Sequence, residues 1–112
     1  MKITFTNREL TSKELYFLCT SPDIRRMSEI AGETVEISAV VIYDKDNADG
    51  TTSEILALMT KDGEAYATNS KTFIQTFRDI IGCFAPDEIH KIEVSQGVSR
   101  SNRKFLTARY VD

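Results

Sequence analysis

Three strand-like runs joined by short polar turns, then one amphipathic helix, then two more strand-like runs around a basic loop: this order constrains the fold more than anything else in the chain. Written β-β-β-α-β-β, it predicts a five-stranded barrel with a helix across one end. A further strand and helix precede it, so the class is mainly β with two helices (α+β). The 112 residues have room for one ordinary core, and a single domain is expected. Residues 1–32 form its N-terminal strand and helix extension, and residues 33–112 the barrel.

Local chemistry sets each element. Lys2–Thr6 reads as a short strand, and Thr11 with Glu14 forms a T-x-x-E capping box for a helix that Ser21-Pro22 ends. A turn or short helix from Pro22 to Ile30 carries Arg25 and Arg26 and closes at Gly32. Thr34–Tyr43 is rich in β-branched residues, with Val35, Ile37, Ala39 and Val41 on one face. Thr52–Thr60 is the next strand. The pair Asp62-Gly63 then predicts a two-residue type I′ loop, which sets Thr60 opposite Ala65, Met59 opposite Tyr66 and Leu58 opposite Ala67. In that register Leu56, Leu58, Ala65 and Ala67 point inward, while Ala57, Met59, Tyr66 and Thr68 lie outside. Ser70 caps a helix over Lys71–Ile81 whose Phe73, Phe77 and Ile80 form a core stripe, and Gly82 is expected to end it in a left-handed conformation. Ile89–Ser95 and Lys104–Val111 make the last hairpin.

Composition excludes several classes. Hydrophobic content of 41% with 28% charged residues is that of a soluble folded chain, and no apolar run approaches the length of a membrane span. A cytoplasmic location without membrane contact is expected. Cys19 and Cys83, lacking CxxC spacing in apolar helical surroundings, read as reduced core thiols. The net charge of -3 argues against an indiscriminate polyanion binder, but the charge is polarised. Nine acidic residues face two lysines between Glu29 and Glu64, whereas the segments on either side are each net positive. Screening confines each charge to about 10 Å at moderate salt, so a local basic surface can still hold phosphates.

Catalysis is not expected. The acidic loop Asp44–Gly50 departs from a calcium loop, with Ala48, Asp49 and Ile55 where the last ligand and glycine positions fall. His90 is the only histidine, no nucleophile elbow accompanies it, and no His-Cys cluster could hold zinc. No metal or cofactor is implied. The segment around Arg100, Arg103 and Lys104 is different. It places three cations among Ser95, Ser99, Ser101 and Asn102 in a flexible loop between two strands of an OB-fold-like barrel, a connection such barrels use to grip oligonucleotides. Lys71 and Arg109 are further candidates for phosphates. Tyr66 and Tyr43 are candidate stacking platforms, with Phe105 a lesser one.

The chain also resembles the small single-stranded DNA-binding proteins of phages and related mobile elements of Gram-positive bacteria. The resemblance rests on Phe5-Thr6-Asn7-Arg8-Glu9-Leu10-Thr11, Ser21-Pro22-Asp23, Glu36-Ile37-Ser38-Ala39 and Ser70-Lys71-Thr72-Phe73. It implies a non-enzymatic protein that coats single-stranded DNA during replication with weak sequence preference, and replication proteins as further partners. The chain stops at Tyr110-Val111-Asp112 without the acidic tail through which bacterial single-strand binders recruit partners. The exposed edge of the first strand is a candidate surface for a homodimer or higher oligomer. The alternative is a protein-interaction module on the same barrel, an adaptor or inhibitor whose acidic half docks on a basic host protein.

Overall fold

A computed structural model describes residues 1–111. In chain order the elements are β1 (Lys2–Thr6), α1 (Ser12–Thr20), β2 (Arg25–Arg26), a 3-10 turn (Met27–Ile30), β3 (Thr34–Asp46), β4 (Thr52–Thr60), β5 (Ala65–Thr68), α2 (Lys71–Cys83), a 3-10 turn (Pro86–Glu88), β6 (Lys91–Val98) and β7 (Lys104–Val111). The protein is mainly β with two helices, and its sheet curls into a half-barrel. The expected β-β-β-α-β-β order is present as β3, β4, β5, α2, β6 and β7 after the expected β1, consistent with an OB-like fold. The closed five-stranded barrel is corrected, since the two-residue β2 adds a seventh strand to one sheet in the order β2-β5-β4-β3-β6-β7, with β1 on β3. Among the described residues β2 covers the free edge of β5 at Tyr66 and Ala67, and no ladder joins β2 or β5 to β7, so the cylinder has an open seam. None of the described helices is long and apolar enough to cross a membrane.

Strand β3 organises the sheet. One edge pairs with β4, while the other pairs first with β6 (Thr34–Glu36) and then with β1 (Val41–Asp44). A register shift falls between Ile37 and Ala39, leaving Ser38 as the extra residue of a bulge. The bulge reverses the inward face, which single-period reading of Val35 to Val41 misplaced. Ile37, Val40 and Ile42 join the main core, whereas Ala39, Val41 and Tyr43 lie in a second core with Leu18 of α1. Both faces of the strand are therefore buried.

The loop between β4 and β5 also departs from expectation, and its consequence is larger. Thr60 donates its amide to the Glu64 carbonyl (2.8 Å) and accepts from the Gly63 amide (3.0 Å), with Gly63 at φ +91°. This is a three-residue loop, Lys61-Asp62-Gly63, built on a type I turn with a left-handed glycine. The Thr60 hydroxyl donates to the Asp62 carboxylate and accepts from the Glu64 amide, which clasps that turn and excludes the two-residue alternative. Pairing slips by one, to Leu58↔Tyr66 and Met59↔Ala65, and every side chain of β5 changes face. Tyr66 points inward with Leu56 and Leu58; Ala65 and Ala67 face outward beneath α1.

The two helices are fixed at their starts by side-chain caps. Thr11 and Glu14 form the expected capping box, and the Arg8 guanidinium meets the Glu14 carboxylate at 2.6 Å. Hydrogen bonding from Arg8, and then from the Thr11 amide, lowers the Glu14 pKa to about 2. Ser70 caps α2 by accepting from the Phe73 amide, and Phe73, Ile74, Phe77 and Ile80 drive into the half-barrel. Each such side chain contributes roughly 1.5–3 kcal/mol through burial. Gly82 does not end the helix. Its φ is not left-handed, and the helix runs through Cys83 until Phe84 turns extended before Ala85-Pro86. Phe84 stacks flat on Tyr110, at 4.0 Å between ring centroids, which draws the chain away from the helix axis. Cys83, expected in the core, is exposed; Cys19 is half-buried.

Candidate nucleic-acid interface

The open seam is the candidate site. At one level α2 covers it: the Thr76 hydroxyl accepts the Ala108 amide at 2.8 Å, taking a hydrogen bond on β7 that no strand supplies. Further along β7 nothing covers it, and a cleft of about 620 Å³ remains. Its β5 wall is Ala67 and Thr68, continuing into Asn69 and Ser70 at the start of α2; its β7 wall is Lys104, Phe105 and Leu106, with Gln96 of β6. Arg26, Met27, Ser28 and Ile55 also line it. The amides of the first helical turn leave partial positive charge at this opening.

The β6–β7 hairpin carries three of the expected cations, of which Lys104 lines the cleft. Strand β6 continues to Val98, three residues past the predicted Ser95, so the expected flexible loop is a tight turn. Ser99 donates its amide to Arg103 (2.8 Å) and accepts from Asn102 (2.9 Å), while Asn102 takes the left-handed conformation at φ +62°. The Ser99 hydroxyl also accepts the Arg103 amide. Arg100, Arg103 and Lys104 are exposed, and among the described residues no carboxylate lies within ion-pair distance of them. Lys71 is also exposed and lies in an adjoining hollow that shares Asn69 with the cleft. Of the cations expected to meet phosphates, Lys104 thus lines the cleft and Lys71 the adjoining hollow, while Arg100 and Arg103 lie in and beside the turn that leads into Lys104.

The remaining expected residues fall elsewhere. Arg109 lies across the hairpin from Glu93 at 3.8 Å, an exposed pair at the far end of β7. Tyr66, expected outside, is only 7% exposed because of the register slip, and its ring belongs to the barrel core. Tyr43, expected at a strand end, is 5% exposed in the second core, where its hydroxyl donates to the Cys19 carbonyl and burial pushes its pKa up. Neither ring is open to a base. Phe105 is the expected aromatic that borders the cleft, half-buried against Gly97.

Arg26 was not anticipated as part of the site. Alternation along β2 sends Arg25 and Arg26 to opposite sides: Arg25 is held by Glu29 and Glu64, with Glu29 the larger cause of its raised pKa, while Arg26 borders the cleft. The adjacent pair before buried Met27 is the sequence signal that could have marked it. Among the described residues no carboxylate lines the cleft, and the one in the adjoining hollow, Glu54, is paired with Arg78. Glu33, Glu36 and Asp62 line a separate hollow at the start of β3, near Lys91, and the tip of β6 lies about 20 Å further along that strand. At about 0.1 M salt that separation is about two screening lengths.

Among known proteins, the family model Phi29 phage SSB, described as phage single-stranded DNA-binding protein, matches residues 4–110. No curated protein and no solved structure matches the chain.

Proposed function

The chain belongs to the phage single-stranded DNA-binding protein family, and from that premise we propose that it coats single-stranded DNA along the open seam between β5 and β7 during phage or mobile-element replication. The observation that carries the proposal is that Lys104 and half-buried Phe105 line one edge of the cleft, directly after a turn whose exposed Arg100 and Arg103 have no ion-pair partner among the described residues. Phosphates meet these cations, Arg26, Lys71 and the amide end of α2, while a base lies against Phe105. Phosphate contacts carry no sequence information, and every base has a π-face, so sequence preference is weak. The protein acts in the host cytoplasm without catalysis. The family match favours this assignment over an adaptor docking through the acidic half.

A fluorescence titration with oligo-dT tests it. Binding by micromolar protein is expected at about 50 mM salt, and affinity should fall as salt rises. Three to five phosphate contacts predict a log-log slope of roughly -2 to -3.5. No binding at the lower salt, or binding indifferent to salt, contradicts the proposal.

A further inference from the structure

Gly97 lies opposite Phe105 in the β6–β7 ladder. Its backbone is outside the left-handed region, so conformation does not demand glycine there. Close approach does. A β-carbon at Gly97 would stand 2.5 Å from Phe105 Cζ, 2.9 Å from Cε2 and 3.1 Å from Cε1, distances at which the ring must move. Leu106 and Ala108 turn into the core, so Phe105, alternating with them, lies on the other face of the hairpin. Its neighbours there are the cross-strand pair Ser95 and Thr107, both too small to cover an aromatic ring, and, toward the turn, Ser99 and the exposed Arg103. A strand-interior glycine weakens a hairpin and commonly marks such a close approach.

Resting on the functional assignment above, we infer that Gly97 is a positioning residue: its missing side chain seats the Phe105 ring against the hairpin backbone, leaving the ring's other side for a nucleobase. The seat selects strands that carry bases over polyanions that carry only phosphates. Gly97 acts through Phe105 and touches no phosphate, so its contribution is independent of salt.

The test compares oligo-dT with an abasic strand of equal length, using wild type, Gly97→Ala, Phe105→Leu and the double variant. Wild type is expected to prefer oligo-dT. Gly97→Ala should lose at least about fivefold in oligo-dT affinity while keeping its affinity for the abasic strand and its salt slope. In the Phe105→Leu background the same change should cost nothing further. The inference is overturned if Gly97→Ala binds oligo-dT like wild type, loses equally on both strands, or adds its loss to that of Phe105→Leu. Should thermal melting show that Gly97→Ala unfolds, Phe105→Leu alone decides, since retained preference for oligo-dT overturns the inference. Wild type that binds both strands equally removes the ring and its seat but leaves the single-strand assignment standing. Wild type that binds neither removes both.

Discussion

Replacing Arg100, Arg103 and Lys104 together by glutamine is expected to weaken oligo-dT binding by about 100-fold or more at about 50 mM salt, and to flatten the salt dependence. Each phosphate neutralised on a single strand contributes a slope of about -0.7, so losing three contacts should remove about 2 from it. Counterion release below 1 M salt scales with the same factor, giving close to one decade of affinity per contact at the lower salt. Stability should barely change, because the three side chains are exposed and hold no ion pair among the described residues. Lys61 is the matched control. It is exposed, pairs with Glu36 at 3.7 Å and lines the separate acidic hollow, so Lys61→Gln should leave the slope alone. A triple variant with the wild-type slope would show that phosphates lie elsewhere.

Phe77→Ala should act in the opposite sense, on the fold before the function. Phe77 is 1% exposed on the inward face of α2, with the Phe5 ring edge-on at 6.2 Å. It joins the helix to β1 and to the half-barrel. Truncation removes the transfer free energy of the ring and leaves a cavity, for a cost of about 3–5 kcal/mol. Against a total of roughly 5–15 kcal/mol this is a large share, and the melting temperature should fall by more than about 10 °C. Urea unfolding of both chains checks it. Phe105→Ala should show the reverse profile, with a smaller loss of stability and a clear loss of oligo-dT affinity. Equal melting temperatures for wild type and Phe77→Ala would contradict the placement of α2 inside the half-barrel.

Much of the fold was legible because its signals are local. The Thr11–Glu14 capping box, the Ser70 cap, the apolar stripe of α2 and the bounds of β4 and β7 all follow from residues within one or two turns of each other. What failed was phase. A period of two identifies two faces of a strand but not which is inward once a bulge or a loop length changes the count. Ser38 changed it in β3, and the Thr60–Asp62 clasp changed it in β5. That single residue of slip moved Tyr66 from surface to core and leaves Phe105 as the expected aromatic that borders the cleft.

The residues that carry the family resemblance are joints of the fold. Asn7 Oδ1 accepts the Val40 amide at 2.9 Å, and Arg8 Nε donates to the Ser38 carbonyl at 2.9 Å, so the two straddle the bulge of β3. The Ser21 hydroxyl accepts the Asp23 amide in the turn after α1. A motif made of joints identifies the architecture and leaves the binding surface unmarked. The cations of the β6–β7 turn were visible as a cluster, but Arg26, Asn69 and Ser70, which line the cleft with Lys104, come from distant segments that only the open seam brings together.

Titrating the labelled amide spectrum of the protein with oligo-dT tests the placement of the strand most directly. Shift changes should concentrate at residues 26–28, 67–71 and 96–106, the borders of the seam and its hairpin. Changes centred instead on Glu33–Glu36 and Lys61–Glu64, at the acidic hollow, would contradict it.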